Sequence, residues 1–226
     1  GVGVPGIFEK SGKIINLPNL NSLNGVNFIS IFKNEFGSLV KVKIVNDAQL
    51  PYHFHKCSLV EKNVAYLTLG TSLGCSLVLN GKLYTGRGLA SQLAGSYFIS
   101  KNKTMRVGDV LAIDYIVKSC IKKGLLVSDF SDFKKNLKLK NKVALDVFKI
   151  YGDNLGFVFR NIFQILHLDK IYLSGGLTNF SKYFLDVAIN NFKTNGKSMG
   201  DCPIEIIKTD KNIELGAVGA SKLFDN

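Results

Sequence analysis

Three short stretches of this chain hold residue types and spacings that could do chemistry. In Gly70-Thr71-Ser72-Leu73-Gly74, glycines at both ends let the backbone come close to a ligand. The Thr71 and Ser72 hydroxyls stand where bare N–H groups can gather an anion. The stretch reads as a phosphate cradle, although no Gly-Lys-Ser/Thr opens a helix as a Walker loop would; the same residues also suit a plain hairpin turn. Asn46-Asp47 closes an alternating run, and its carboxylate could take a proton from a poorly nucleophilic hydroxyl or simply cap the next helix. Ser174-Gly175-Gly176 ends a buried run. Its bare backbone could carry a flat ring while the following helix N-terminus favours anions, or it could be a tight turn requiring positive φ.

The surrounding elements must bring these stretches together. Val64–Leu69, Ser76–Leu79 and Lys82–Thr85 read as three strands, the last two joined by Asn80-Gly81, the strongest short hairpin signal. Val40–Val45 alternates apolar residues with lysine and reads as a strand, followed by a short helix over 48–59. Helical spacing covers 26–36, 107–124, 129–142 and 143–168, the last a core helix whose Gly152 and Gly156 lie on one face and permit close packing. Strands at 171–173 and 204–207, each followed by a helix (to Phe192 and over 215–224), complete a mixed α/β order. In open α/β sheets ligands bind beyond the carboxyl ends of strands, where all three stretches would sit.

Composition narrows the choice of function. The chain has 226 residues and a net charge of +12, carried almost wholly by lysine, since Arg87, Arg106 and Arg160 are the only arginines. Scattered lysine without arginine argues against sequence-reading nucleic-acid binding and for a solvated surface. Cys57, Cys75, Cys120 and Cys202 form no C-x-x-C pair and read as reduced thiols of a cytoplasmic protein. No apolar run reaches membrane-spanning length and no secretion signal opens the chain. Gly1–Gly6 reads as the tail of a strand that begins outside it. His53, His55 and Cys57 alternate, but in a helix such residues diverge, so a metal set is disfavoured.

Together, Gly1-Val2-Gly3-Val4-Pro5-Gly6, Pro18-Asn19-Leu20, Val45-Asn46-Asp47-Ala48, Leu69–Gly74 with Leu77–Leu83, Leu173–Leu177 and Leu215–Ala220 resemble, in order and spacing, the ROK family of repressors and sugar kinases. The resemblance spans nearly the whole chain. It implies a ribonuclease H-like, actin-like ATPase fold of two lobes, the first truncated at its N-terminus. Residues 1–60 would be the remainder of the first lobe, with the terminal helix of 214–226 packing back on it, and 61–213 the second lobe. It further implies a hexose or amino-sugar substrate held by Gly6, Asn19, Asn46 and Gln92, with Asp47 as the catalytic base. ATP would be bound by Gly70, Thr71, Ser72, Gly74, Gly175 and Gly176, together with Mg²⁺, and such proteins form homodimers.

Three departures temper that expectation. The family's Asp-x-Gly-Gly-Thr hairpin, which places magnesium, would precede Gly1 and is absent, so no metal ligand is named here. Gln92 and Gly95 stand where the family has Glu and His, which removes charge from the sugar contacts. The Cys-x-Cys-Gly zinc segment is missing after Gly95, so no zinc is expected. The resulting expectation is a ROK-type kinase moving the ATP γ-phosphate to a sugar hydroxyl. The alternative is a non-catalytic ROK-like sugar sensor or assembly protein. A repressor would need a helix-turn-helix that this chain does not show.

Overall fold

The structure, a computed structural model, describes residues 1–17, 20–56, 59–85, 106–195, 203–207 and 212–225. Its centre is a five-stranded sheet in the order β7-β6-β5-β8-β9. The strands are β5 (Val64–Leu69), β6 (Leu73–Leu79), β7 (Lys82–Tyr84), β8 (Lys170–Ser174) and β9 (Ile204–Ile206). β5, β6 and β7 pair antiparallel, whereas β8 lies parallel to both β5 and β9. Asn80 and Gly81 take φ of 53° and 75°, as the tight β6–β7 hairpin requires.

β5 is apolar but for Thr68 because both of its faces are covered. Ala65, Leu67 and Leu69 face one core with Leu73, Cys75, Ile171 and Leu173. That core is closed by α3 (Val107–Val110), α4 (Ile113–Lys122), α5 (Phe130–Lys138), α6 (Lys142–Leu166) and α7 (Leu185–Asn195). Val64 and Tyr66 face a second core with Val78, Tyr172 and Leu215, against which Tyr52 and Phe54 pack. These two come from α2 (Leu50–His55), which is covered in turn by α8 (Asn212–Ser221).

The first sixty residues are built more thinly. β1 (Val2–Val4) pairs parallel with β4 (Ile44–Asn46), and β2 (Ile7–Phe8) pairs antiparallel with β3 (Ile14–Asn16). α1 (Phe28–Phe36) buries none of its residues fully, and Asn27 caps it by accepting from Ser30 N–H. Val4, Ile14 and Leu17 form this region's own small core.

Four expected elements change shape. The strand expected over 40–45 is confined to β4, and the helix expected over 48–59 is a 3₁₀ turn (Asp47–Gln49) followed by α2. The helix expected over 107–124 divides into α3 and α4 because Ala112 is extended, at φ −92° and ψ 152°. Val110 and Leu111 are both buried there, so packing holds the break. The helix expected soon after the diglycine becomes a 3₁₀ segment (Gly176–Tyr183) before α7 begins. α6 behaves as its spacing predicts: its Gly152 and Gly156 press against the carbonyls of Phe184 and Ala188 at α7, where no side chain would fit.

Among the described residues no helix is long and apolar enough to cross a membrane. Cys75 and Cys120 are free and buried, and burial pushes the Cys75 thiol up to about 12. Cys57 and Cys202 lie outside the described residues.

Candidate active site

The site begins at the end of β4. Asn46 is buried, and its side chain is engaged twice: Oδ1 accepts from Ala48 N–H at 3.0 Å and Nδ2 donates to the Gly6 carbonyl at 3.0 Å. Asn46 therefore caps the 3₁₀ turn, the role that sequence reasoning offered to Asp47. The amide keeps one N–H and one acceptor lone pair for other partners. Gly6 sits at φ +126° where its chain presses on the Asn16 carbonyl, so the β1–β2 turn and the cap form one unit.

Asp47 follows in the first turn and remains open to solvent. Partial burial nonetheless raises the carboxyl above its usual range. The N–H groups of Ala48 and Asp47 itself oppose that rise only in part. A carboxylate whose proton affinity is raised while it stays reachable is suited to proton transfer.

The phosphate-cradle candidate is smaller than its glycines suggest. Leu69 pairs with Leu73, leaving Gly70, Thr71 and Ser72 as a three-residue loop, closed by Gly70 N–H donating to the Ser72 carbonyl at 3.2 Å. Thr71 and Ser72 are exposed, and the Ser72 hydroxyl reaches the Gly108 carbonyl at 3.4 Å. Gly74 is not part of the turn: it lies in β6 opposite Thr68, without positive φ. The position beside Gly70 is open, as it is beside Gly176.

Gly175 bears out the tight-turn reading of the diglycine. Its φ of +92° is the positive value that a strand-to-helix turn demands, and its backbone lies directly on that of Leu69. The diglycine turn and the Gly70–Ser72 loop are thereby adjacent. Thr68 and Ser174, the hydroxyl residues at the ends of β5 and β8, face each other at 3.1 Å and tie those ends together. Sequence reading passed over this pair. The available signal was that each hydroxyl directly precedes, or stands two residues before, a functional glycine. Two expected sugar contacts, Asn19 and Gln92, lie outside the described residues, as does Gly95.

His53 and His55 part company, as their helical spacing implies. His55 Nδ1 lies 3.0 Å from the Tyr66 hydroxyl, and its ring packs edge-on against Tyr172. His53 lines a cavity of about 420 Å³ with Asn46, Gln49, Lys43 and Leu83. Among the described residues no cluster of metal-ligating side chains forms. Both His53 ring nitrogens are buried without a hydrogen-bond partner. Burial first, then Lys56 and Lys43, pushes the imidazole down to about 4. The unfolded chain then binds a proton between about pH 6.5 and 4 that the folded chain refuses, so stability falls as pH drops through that window. His53→Leu should remove about 1–2 kcal/mol of that acid-side loss, allowing for partial solvent screening. Urea midpoints at pH 7.5 and 4.5 measure it; an unchanged difference between the two would assign the acid sensitivity elsewhere.

A carboxylate turn, the short Gly70–Ser72 loop and a bare diglycine turn thus gather at one rim of a mixed sheet. Solved structures share this fold over nearly the whole chain. A ROK family glucokinase from Streptomyces griseus, in complex with glucose and AMPPNP, aligns with a TM-score of 0.81 at 16% identity, covering 99% of this chain and 80% of that one. A ROK family protein from Streptococcus pneumoniae in complex with sucrose aligns at 0.79 and 19%, covering 98% and 78%. In sequence, residues 1–102 match the model of the ROK family. The chain is also similar to the N-acetyl-D-glucosamine kinase of Vibrio atlanticus, 24% identical over 245 residues that span 99% of this chain and 79% of that protein.

Proposed function

We propose that this protein is a sugar kinase that transfers the γ-phosphoryl group of ATP to a hydroxyl of a hexose or amino sugar. The observation that carries this reading is the Asp47 turn. It holds a water-accessible carboxylate of raised proton affinity beside the strand that leaves the Gly70–Ser72 loop. The kinase relatives and structural neighbours point the same way.

In this reading Asp47 accepts the hydroxyl proton as the new P–O bond forms, which turns a poor nucleophile into an adequate one. Asn46 and Gly6, already joined through the amide–carbonyl bond, form the rigid wall against which the sugar rests, with Asn19 and Gln92 as further contacts. The residues present fit a nucleotide: open space lies beside the backbone at Gly70 and Gly176, where a side chain would intrude on a phosphate or a ring. Bound ATP supplies the transferred group; the chain orients it through the N–H groups of Thr71 and Ser72, with the diglycine turn beneath the base. No described residue is assigned to magnesium. Residues 1–60 with the 214–226 helix form one lobe in this reading, and residues 61–213 form the other.

Calorimetry and a coupled phosphoryl-transfer assay with N-acetylglucosamine, glucose and mannose test the proposal. A kinase binds both a non-hydrolysable ATP analogue and one of these sugars, and turns over with ATP. Binding of sugar without nucleotide would instead make the protein a sensor.

A further inference from the structure

The Asp47 turn rests in a socket whose three walls are glycines from three distant parts of the chain. On one side is Gly3 of β1, where a methyl group would lie 3.5 Å from Asp47 Cα and 3.2 Å from Leu50 Cγ. On the second is Gly219 of α8, where it would lie 3.0 Å from the Leu50 carbonyl carbon and 3.2 Å from its Cα. On the third is Gly74 of β6, where it would lie 3.1 Å from Ala48 Cβ and 3.3 Å from Thr68 Cβ. Only the third wall belongs to the strand that emerges from the phosphate-cradle loop.

We infer that Gly74 is a positioning residue: its missing side chain is the notch in which the Ala48 methyl seats, and this seat fixes Asp47 relative to the Gly70–Ser72 loop. The inference rests on the kinase reading for its functional meaning and moves Gly74 beyond the role of nucleotide contact. Gly74 has ordinary strand conformation and pairs in register with Thr68, so neither a turn nor a bulge accounts for a glycine here. A contact of 3.1 Å is a few tenths of an ångström too tight for two methyl groups. A methyl added at position 74 therefore forces a shift of a few tenths of an ångström, which in this inference the Ala48 turn takes up rather than Thr68. Catalytic groups tolerate little of that: a misplacement of about 1 Å costs on the order of 10²-fold in rate.

The test is a four-protein cycle of the parent, Gly74→Ala, Ala48→Gly and the double variant. Gly74→Ala is expected to lower kcat at least tenfold while the KM for ATP stays within about twofold. Carboxyl NMR should show the Asp47 titration falling toward its ordinary value as water enters under the lifted turn. Removing the opposing methyl in the double variant should return both quantities most of the way to the parent. The inference is overturned if the double variant stays as impaired as Gly74→Ala. It is equally overturned if Gly74→Ala raises the KM for ATP and leaves kcat and the Asp47 titration alone. Should the parent itself transfer no phosphoryl group, the kinase reading fails separately, and the Asp47 titrations across the four proteins alone decide whether the seat exists.

Discussion

Asp47→Asn should abolish phosphoryl transfer, lowering kcat by about 10²–10⁴-fold, while sugar affinity measured by calorimetry changes little. General-base catalysis is worth that much, and the amide keeps the shape of the carboxylate but cannot accept the proton. The position of the side chain supports so selective a result. Asn46 does the capping, so the fold loses no cap when Asp47 changes. The same substitution should make the protein slightly more stable near neutral pH. Burial raises the Asp47 pKa on folding, so the ionised folded chain carries a cost that grows as pH climbs past the ordinary carboxylate range. An uncharged amide removes that cost. In the parent, activity should fall on the acid side with an apparent pKa above the usual carboxylate value. A variant that turns over at the parental rate would remove Asp47 from the chemistry.

Gly175→Ala should be among the most damaging single methyls that can be added at the site. Two effects combine. Left-handed backbone at φ +92° costs a non-glycine residue about 1–2 kcal/mol. The new methyl also falls on the Leu69 backbone, which has no side-chain freedom with which to yield. With overpacking at about 1–3 kcal/mol, the total is about 2–5 kcal/mol, read as a lowered urea midpoint. ATP-analogue affinity should fall with it, because the ends of β5 and β8 separate. Gly176→Ala is the control. Space beside Gly176 is open, so the urea midpoint should hold and any loss should appear in nucleotide binding alone. Equal stability of Gly175→Ala and the parent would mean that the two turns are not in contact.

Local chemistry made much of this legible from sequence. Asn80-Gly81 can only be a tight hairpin, and Gly152 and Gly156 one turn apart can only mean a close neighbour, here α7. The apolar run of β5 and the 25-residue periodicity of α6 are long enough to override local ambiguity. Features that depend on contact partners were not legible. The same Gly-x-x-x-Gly spacing that suggested a five-residue turn at 70–74 yields a three-residue loop, because β6 pairs one residue before Gly74. Asn46 and Asp47 are equally good caps in isolation; the Gly6 carbonyl, forty residues away, decides between them. The break between α3 and α4 falls in a stretch with good helical periodicity, where burial of Val110 and Leu111 outweighs continuity.

The placement of α8 has a consequence for how the molecule comes into being. α2 and the Asp47 turn are made about 165 residues before the helix that covers them, with Gly219 against Leu50. At ribosomal speeds of roughly 5–20 residues per second, the apolar side of α2 waits on the order of ten seconds or more for its lid. Pairings so far apart in sequence are slow to form, so the Asp47 turn is fully enclosed only after α8 has been made.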